Sequence, residues 1–165
     1  MKIFHIDDDP VQHFLIKKII TKYDSETEIQ FFFDAELALV QLDANHQHAF
    51  NLPDVILLDI QMPRLNGWDF LNQFNQISTK MVKAVKIYIL TSAIGKDELA
   101  KAKSYPAVHH FFYKPLNLQS LDIIYNPSQI AGIWNTFNSK IAFLIVIWAS
   151  PYEARWWSKI ILQLP

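Results

Sequence analysis

The run Asp54-Val55-Ile56-Leu57-Leu58-Asp59-Ile60 constrains the fold more than any other stretch of the chain. Its apolar residues are consecutive rather than alternating, the mark of a strand covered on both faces. Such a strand belongs in a parallel sheet flanked by helices, and the remaining sequence supplies both. Strand-like runs KIFHI, EIQFFFDA, DVILLDI, AVKIYILTSA and AVHHFFYKP alternate with helix-like runs through about residue 125. Five such units predict an α/β fold, a five-stranded parallel sheet wound with helices on both faces. The first helix is expected to start at Pro10 behind Asp9 as N-cap. It should turn Val11, Phe14, Leu15, the stem of Lys18 and Ile19 inward. The third, from Gly67, should bury Trp68, Leu71, Phe74 and Ile77.

In sheets of this kind ligands bind beyond the carboxyl ends of the strands, where the strand order reverses. Asp7, Asp8 and Asp9 follow the first strand, Asp59 ends the third, Thr91 and Ser92 end the fourth, and Lys114 ends the fifth. Carboxylates gathered at one edge repel one another, and one takes up a proton unless a cation compensates. Few protein oxygens are on offer, which suits a partly hydrated Mg²⁺ better than a Ca²⁺ cage. A lysine and a hydroxyl can meet the oxygens of an incoming phosphoryl group, and an aspartate is a competent nucleophile for phosphoryl transfer.

Composition narrows the alternatives. The chain has 165 residues, enough for one domain with a real core. With 15 basic and 16 acidic residues it lacks the footprint of a nucleic-acid binder. The absence of cysteine excludes disulfides and thiolate chemistry, and three glycines cannot build a glycine-rich phosphate loop. The start MKIFHIDDDP has acidic residues where a signal peptide needs an apolar run, so a cytoplasmic location is expected. A bilayer span needs about 20 apolar residues. The longest apolar run, IAFLIVIWA, is far shorter, which argues against a membrane protein.

Taken together and in this order, HIDDDP, LLDIQMPRLNGWDFL, ILTSA and FFYKPL resemble the receiver domain of two-component response regulators, over roughly residues 1–125. The resemblance implies the flavodoxin-like receiver fold and a regulatory protein rather than a metabolic enzyme. It implies that Asp59 accepts a phosphoryl group from a histidine kinase or phosphotransfer protein. Asp8 and Asp59 would ligate Mg²⁺ directly, Asp7 through water, and Gln61 through its backbone carbonyl. Thr91 would be the switch hydroxyl, Lys114 the ion-pair partner of the phosphoryl group, and Phe111 the aromatic that turns inward behind Thr91. Ser92 keeps its position small, while Gln61 and Ala93 would tune phosphoryl lifetime.

Two other readings use the same residues. In a haloacid-dehalogenase-like phosphatase, Asp7 would be the nucleophile and Asp9 the general acid, but no further acidic motif follows Lys114 and Asp59 goes unexplained. A receiver-like interaction module that is never phosphorylated would usually lack an acidic, threonine or lysine position, and all are present here. His46 and His48, and His109 and His110, have no further ligands beside them for zinc. His5 is expected to be a packed core residue with one nitrogen satisfied.

Residues 126–165 differ in character. They hold four of the five tryptophans and only four charges, Lys140, Glu153, Arg155 and Lys159. Asn126-Pro127 is expected to end the fifth helix early. The extension has no recognition helix for DNA and is too apolar for a disordered linker. It should be covered by the receiver's own surface, a second copy, another protein or a membrane interface, unless it arises from an altered reading frame. A homodimer through this tail, or through the surface of the fourth helix, fifth strand and fifth helix, is one expectation.

Overall fold

Ten elements alternate in chain order: β1 (Lys2–Ile6), α1 (Pro10–Tyr23), β2 (Glu28–Phe32), α2 (Ala35–Ala44), β3 (Val55–Asp59), α3 (Gly67–Ser78), β4 (Lys86–Thr91), α4 (Lys96–Ala102), β5 (Val108–Tyr113) and α5 (Leu118–Tyr125). The computed structural model describes residues 1–92 and 95–127. Ala93 and residues 128–165 of the apolar extension lie outside them, and with them the expectations placed there. Met1–Ile124 forms one compact unit.

The strands form a single parallel sheet in the order β2-β1-β3-β4-β5. The chain winds outward one way from β1 to β2 and the other way from β3 to β5, so the order reverses between β1 and β3. This is the doubly wound flavodoxin-like architecture, with its switch point at the carboxyl ends of those two strands. The register aligns the ends. Ile6 pairs with Leu58, so Asp7 and Asp59, one residue on, emerge side by side. Asp59 pairs with Leu90, and Thr91 with Tyr113.

Side chains alternate between the two faces of each strand. Phe4 and Ile6 of β1, Ile56 and Leu58 of β3 and Ile87 and Ile89 of β4 share one apolar core with Ala38 and Leu42 of α2 and Phe70, Leu71 and Phe74 of α3. Ile3, His5, Leu57, Tyr88 and Leu90 are also buried and alternate with that set, so they face the opposite side. There α1 contributes His13, Ile16 and Ile20, and α5 contributes Leu121 and Ile124. β3 is buried at all five positions because it has helices on both sides, as its unbroken apolar run requires. β2, at the sheet edge, is only half covered.

The helices begin where short polar side chains satisfy their first backbone N–H groups. Asp9 accepts from Val11 N–H, Asp34 from Glu36 N–H, and Asn66 from both Trp68 and Asp69 N–H. Asp9 is thus the cap of α1, as expected.

The inward face of α1 is not the one expected. Val11 and Phe14 are each 58% exposed and Leu15 is 41% exposed, while His13, Ile16 and Ile20 are buried. Two stripes with helical spacing compete in this segment, and a histidine at the head of the true one makes it look polar. In α3, Leu71 and Phe74 are buried as expected and Trp68 and Ile77 pack partly buried on the core. Phe70 is buried as well, beyond the expected set.

Candidate functional site

Each polar residue beyond the strand ends arrives there through backbone geometry. Asp7 continues β1, where its N–H donates to the Phe32 carbonyl at 3.0 Å. Its side chain is fully buried, and Oδ1 accepts from Asp9 N–H at 3.0 Å. Asp8, one residue on, is exposed. Asp59 closes β3 and is 5% exposed. Thr91 closes β4, buried, and its carbonyl accepts from Lys114 N–H at 2.9 Å. That bond brings the end of β5 back over β4 and aims the Lys114 side chain into the acidic group. Its ammonium lies 2.7 Å from Asp7 Oδ2 and 3.0 Å from Asp59 Oδ2.

The loop from β3 to α3 is held close to Asp59. Gly67 N–H donates to the Ile60 carbonyl at 3.0 Å. A Cβ on Gly67 would stand 2.5 Å from the Asp59 carbonyl oxygen and 2.7 Å from Ile60 Cα, both backbone atoms that cannot step aside. Glycine is therefore required here for close approach. Gln61 lies exposed early in this loop, and Arg64, with a positive φ of 66°, pairs with the α2 cap Asp34. Phe111 is partly buried on the apolar core, paired across β4–β5 with Ile89, two residues before Thr91.

Asp7, Asp8 and Asp59 each offer an oxygen within 4.8 Å of the others. Three carboxylates face one ammonium, an excess of two negative charges when all are ionised. Burial pushes the Asp7 carboxyl above its ordinary range, and the Asp59 charge adds to that, against the opposing pull of Lys114 and the Asp9 N–H. Burial would lower the Lys114 pKa, but Asp7 and then Asp59 more than reverse it, so the ammonium is held charged. The two directions look inconsistent for one ion pair. They are reconciled by number, since a single lysine is divided between two carboxylates and leaves the more deeply buried one under-compensated. A divalent cation with hard oxygen ligands fits this donor set and its surplus charge.

Asp7, Asp8, Asp59 and Lys114 thus meet at one point, with Thr91 and Gln61 on the adjoining strand end and loop. Two polar residues beside this cluster were not assigned to it from sequence. His5 is fully buried, and its Nδ1 lies 2.8 Å from Nδ1 of His13 on α1. Its other nitrogen has no hydrogen-bond partner, in keeping with the expectation of one satisfied nitrogen. The two-residue period of β1 places His5 on the face of Asp7 and was the available signal. His13 had none, because the phase of α1 was misread.

The family model for the response regulator receiver domain matches residues 3–126. The chain belongs to this family. A two-component response regulator from Cytophaga hutchinsonii has a similar structure, with 30% identity and a TM-score of 0.69, covering 76% of this chain and 94% of that one. Among curated proteins, the probable methanogenesis regulatory protein FilR2 of Methanothrix harundinacea is 25% identical over 119 residues, 72% of this chain and 75% of its own. The hybrid signal transduction histidine kinase C of Dictyostelium discoideum is 30% identical over 128 residues, 74% of this chain but only 10% of the kinase. A receiver domain of two-component signalling thus accounts for the α/β unit, and receivers are regulatory modules. Among the described residues, no helix is long and apolar enough to cross a membrane.

Proposed function

We propose that this receiver domain is a phosphorylatable switch whose acceptor is Asp59. The observation that carries the reading is the Lys114 ammonium, held between the buried Asp7 and Asp59 carboxylates at the strand-order reversal. An oxygen of Asp59 attacks the phosphorus of a donor phosphohistidine or acyl phosphate. The new P–O bond forms as the bond from phosphorus to the donor nitrogen or oxygen breaks, and the electron pair leaves with the donor. Lys114 then meets a phosphoryl oxygen in place of the acceptor carboxylate. Thr91 supplies a hydroxyl to another, and its displacement draws Phe111 inward and alters the surface of α4, β5 and α5.

The residues that would hold Mg²⁺ are Asp8 and Asp59 directly, Asp7 through water, and Gln61 through its carbonyl. The ion would supply neutralisation of the phosphoryl charge. Catalysis rests on positioning and electrostatics rather than on a further covalent step.

The partner is a histidine kinase or a phosphotransfer protein. On α1, the helix that follows the aspartates of β1, Val11, Phe14 and Leu15 leave apolar side chains exposed for such a partner to cover. A cytoplasmic location and a regulatory rather than metabolic role go with this reading. The phosphatase alternative is disfavoured by the family and by the aspartates themselves. Asp7 is wholly buried with an oxygen on the Asp9 N–H and another on Lys114, and Asp9 is committed to capping α1.

The test is intact mass after incubation with acetyl phosphate and Mg²⁺. One added phosphoryl group, absent in Asp59→Asn, is the expected result. A shift that survived in Asp59→Asn would refute the assignment, and its loss in Asp7→Asn alone would favour the phosphatase.

A further inference from the structure

Arg64 is the one residue other than glycine with a positive φ, 66°, among the described residues. A side chain in that left-handed region is strained, and it persists only where surrounding contacts over-determine it. Glycine would adopt the same backbone freely. The chain instead places an arginine, and its guanidinium pairs with Asp34, whose side chain is only 17% exposed. That carboxylate serves two elements at once. Oδ1 accepts from Glu36 N–H at 2.9 Å and caps α2, while Oδ2 receives Arg64.

The β3–α3 loop has few other ties. Its ends are fixed by the buried Ile60 and by Gly67, whose N–H donates to the Ile60 carbonyl at 3.0 Å. Between them Met62 is buried in the core and Leu65 partly so, while Gln61, Pro63 and Arg64 are exposed. Among the described residues, no backbone-to-backbone hydrogen bond involves residues 61–65. The Arg64 side chain therefore supplies the polar tie that this stretch lacks.

The other end of the ion pair is anchored as well. Asp34 stands two residues beyond Phe32, whose carbonyl accepts from Asp7 N–H at 3.0 Å. The contacts close a ring. It runs from the Asp7 backbone through the end of β2 to Asp34, across to Arg64, and back along the loop through Gln61 to Asp59. The end of β1, with Asp7 and Asp8, is thus joined to the loop after Asp59 by a route separate from the sheet.

We propose that Arg64 and Asp34 are positioning residues for the acidic site, an ion pair that holds the β3–α3 loop so that the Gln61 carbonyl keeps its place relative to Asp8 and Asp59. This role rests on the divalent-metal reading given above, and it adds two residues that touch neither the ion nor the phosphoryl group. An ion pair with one exposed partner is worth little in water, so its loss should change affinity by a few-fold only.

The experiment has two arms on the full chain, and Arg64 is exposed enough for its variants to keep the fold. In metal-free protein, exchange of the Gly67 amide reports closure of the loop, and Arg64→Ala should speed it about threefold. Calorimetric titration with Mg²⁺ should show about threefold weaker binding in Arg64→Ala and in Arg64→Gly alike. A residue that mattered only through its strained backbone would bind Mg²⁺ at least as tightly once glycine relieved it. Asp34→Asn keeps a capping side chain but removes the charge, and should match Arg64→Ala. The two substitutions combined should be no worse than either alone, the signature of a coupled pair. Arg64→Lys, which keeps the charge, should recover part of the loss. Wild-type affinity in Arg64→Gly, additive losses in the double variant, or unchanged exchange at Gly67 overturns the proposal. Failure of the wild type itself to bind Mg²⁺ would sink the metal reading, and it is seen before any variant is compared.

Discussion

The two faces of β1 are built to different ends. On one, Phe4 and Ile6 lie in a core of purely apolar side chains from α2 and α3. On the other, Ile3 is followed by His5 and Asp7, with His13 brought against them from α1. Both faces are buried, yet only the first gains stability at every position. The second accepts desolvated polar groups, a net cost unless each is paired. The difference teaches that the sheet is stabilised mainly from the α2–α3 side, which leaves the other free to hold charge beside the strand-order reversal.

Removing a wedge from the apolar face should have the largest effect. Phe70→Ala empties a fully buried site and should cost about 3–5 kcal/mol in urea unfolding. A loss below about 1 kcal/mol would mean that this face does not dominate stability.

The charged face should respond to metal instead. If the site holds Mg²⁺ as proposed, a hundredfold excess over its dissociation constant should stabilise the fold by about 3 kcal/mol, because the ion would bind the folded site alone. Asp8→Asn should remove most of that gain, and unfolding midpoints that ignore Mg²⁺ would count against the site as drawn.

Gly67→Ala tests the junction between the two. The added methyl must displace the Asp59 or Ile60 backbone, and overpacking of this sort should cost about 1–3 kcal/mol. Slower labelling of Asp59 by acetyl phosphate should accompany it. Unimpaired stability and labelling together would show that the loop has slack. The smallest effect is expected at Phe14→Ser, within about 0.5 kcal/mol, because that ring is mostly in solvent. A loss of several kcal/mol would restore the original expectation for the inward face of α1.

Much of this molecule was legible before its structure. All ten elements lie where the apolar runs place them, since each strand is a short apolar block and Asp9 signals the start of α1 directly. The carboxylates, Thr91 and Lys114 were found because parallel strands deliver their carboxyl ends to one edge whatever the details of packing. What failed was phase. His13, Ile16 and Ile20 make a stripe as regular as Val11, Phe14, Leu15 and Ile19, and local pattern cannot say that a histidine belongs inside. Its partner lies on another element, and the pairing exists only once α1 crosses β1. The contact between Arg64 and Asp34 was hidden for the same reason, as it joins two loops 30 residues apart.

Three consecutive aspartates leave β1, and each meets a different environment. Asp7 is buried against Lys114, Asp8 faces solvent at the carboxylate cluster, and Asp9 caps α1. In chemical composition they are interchangeable, but in order they are not. A one-residue deletion here would leave two acids to fill three posts and rotate α1 by about 100° relative to the sheet. Among homologues of this chain, length in the hand-over from β1 to α1 should therefore be fixed more tightly than the identity of any single residue within it.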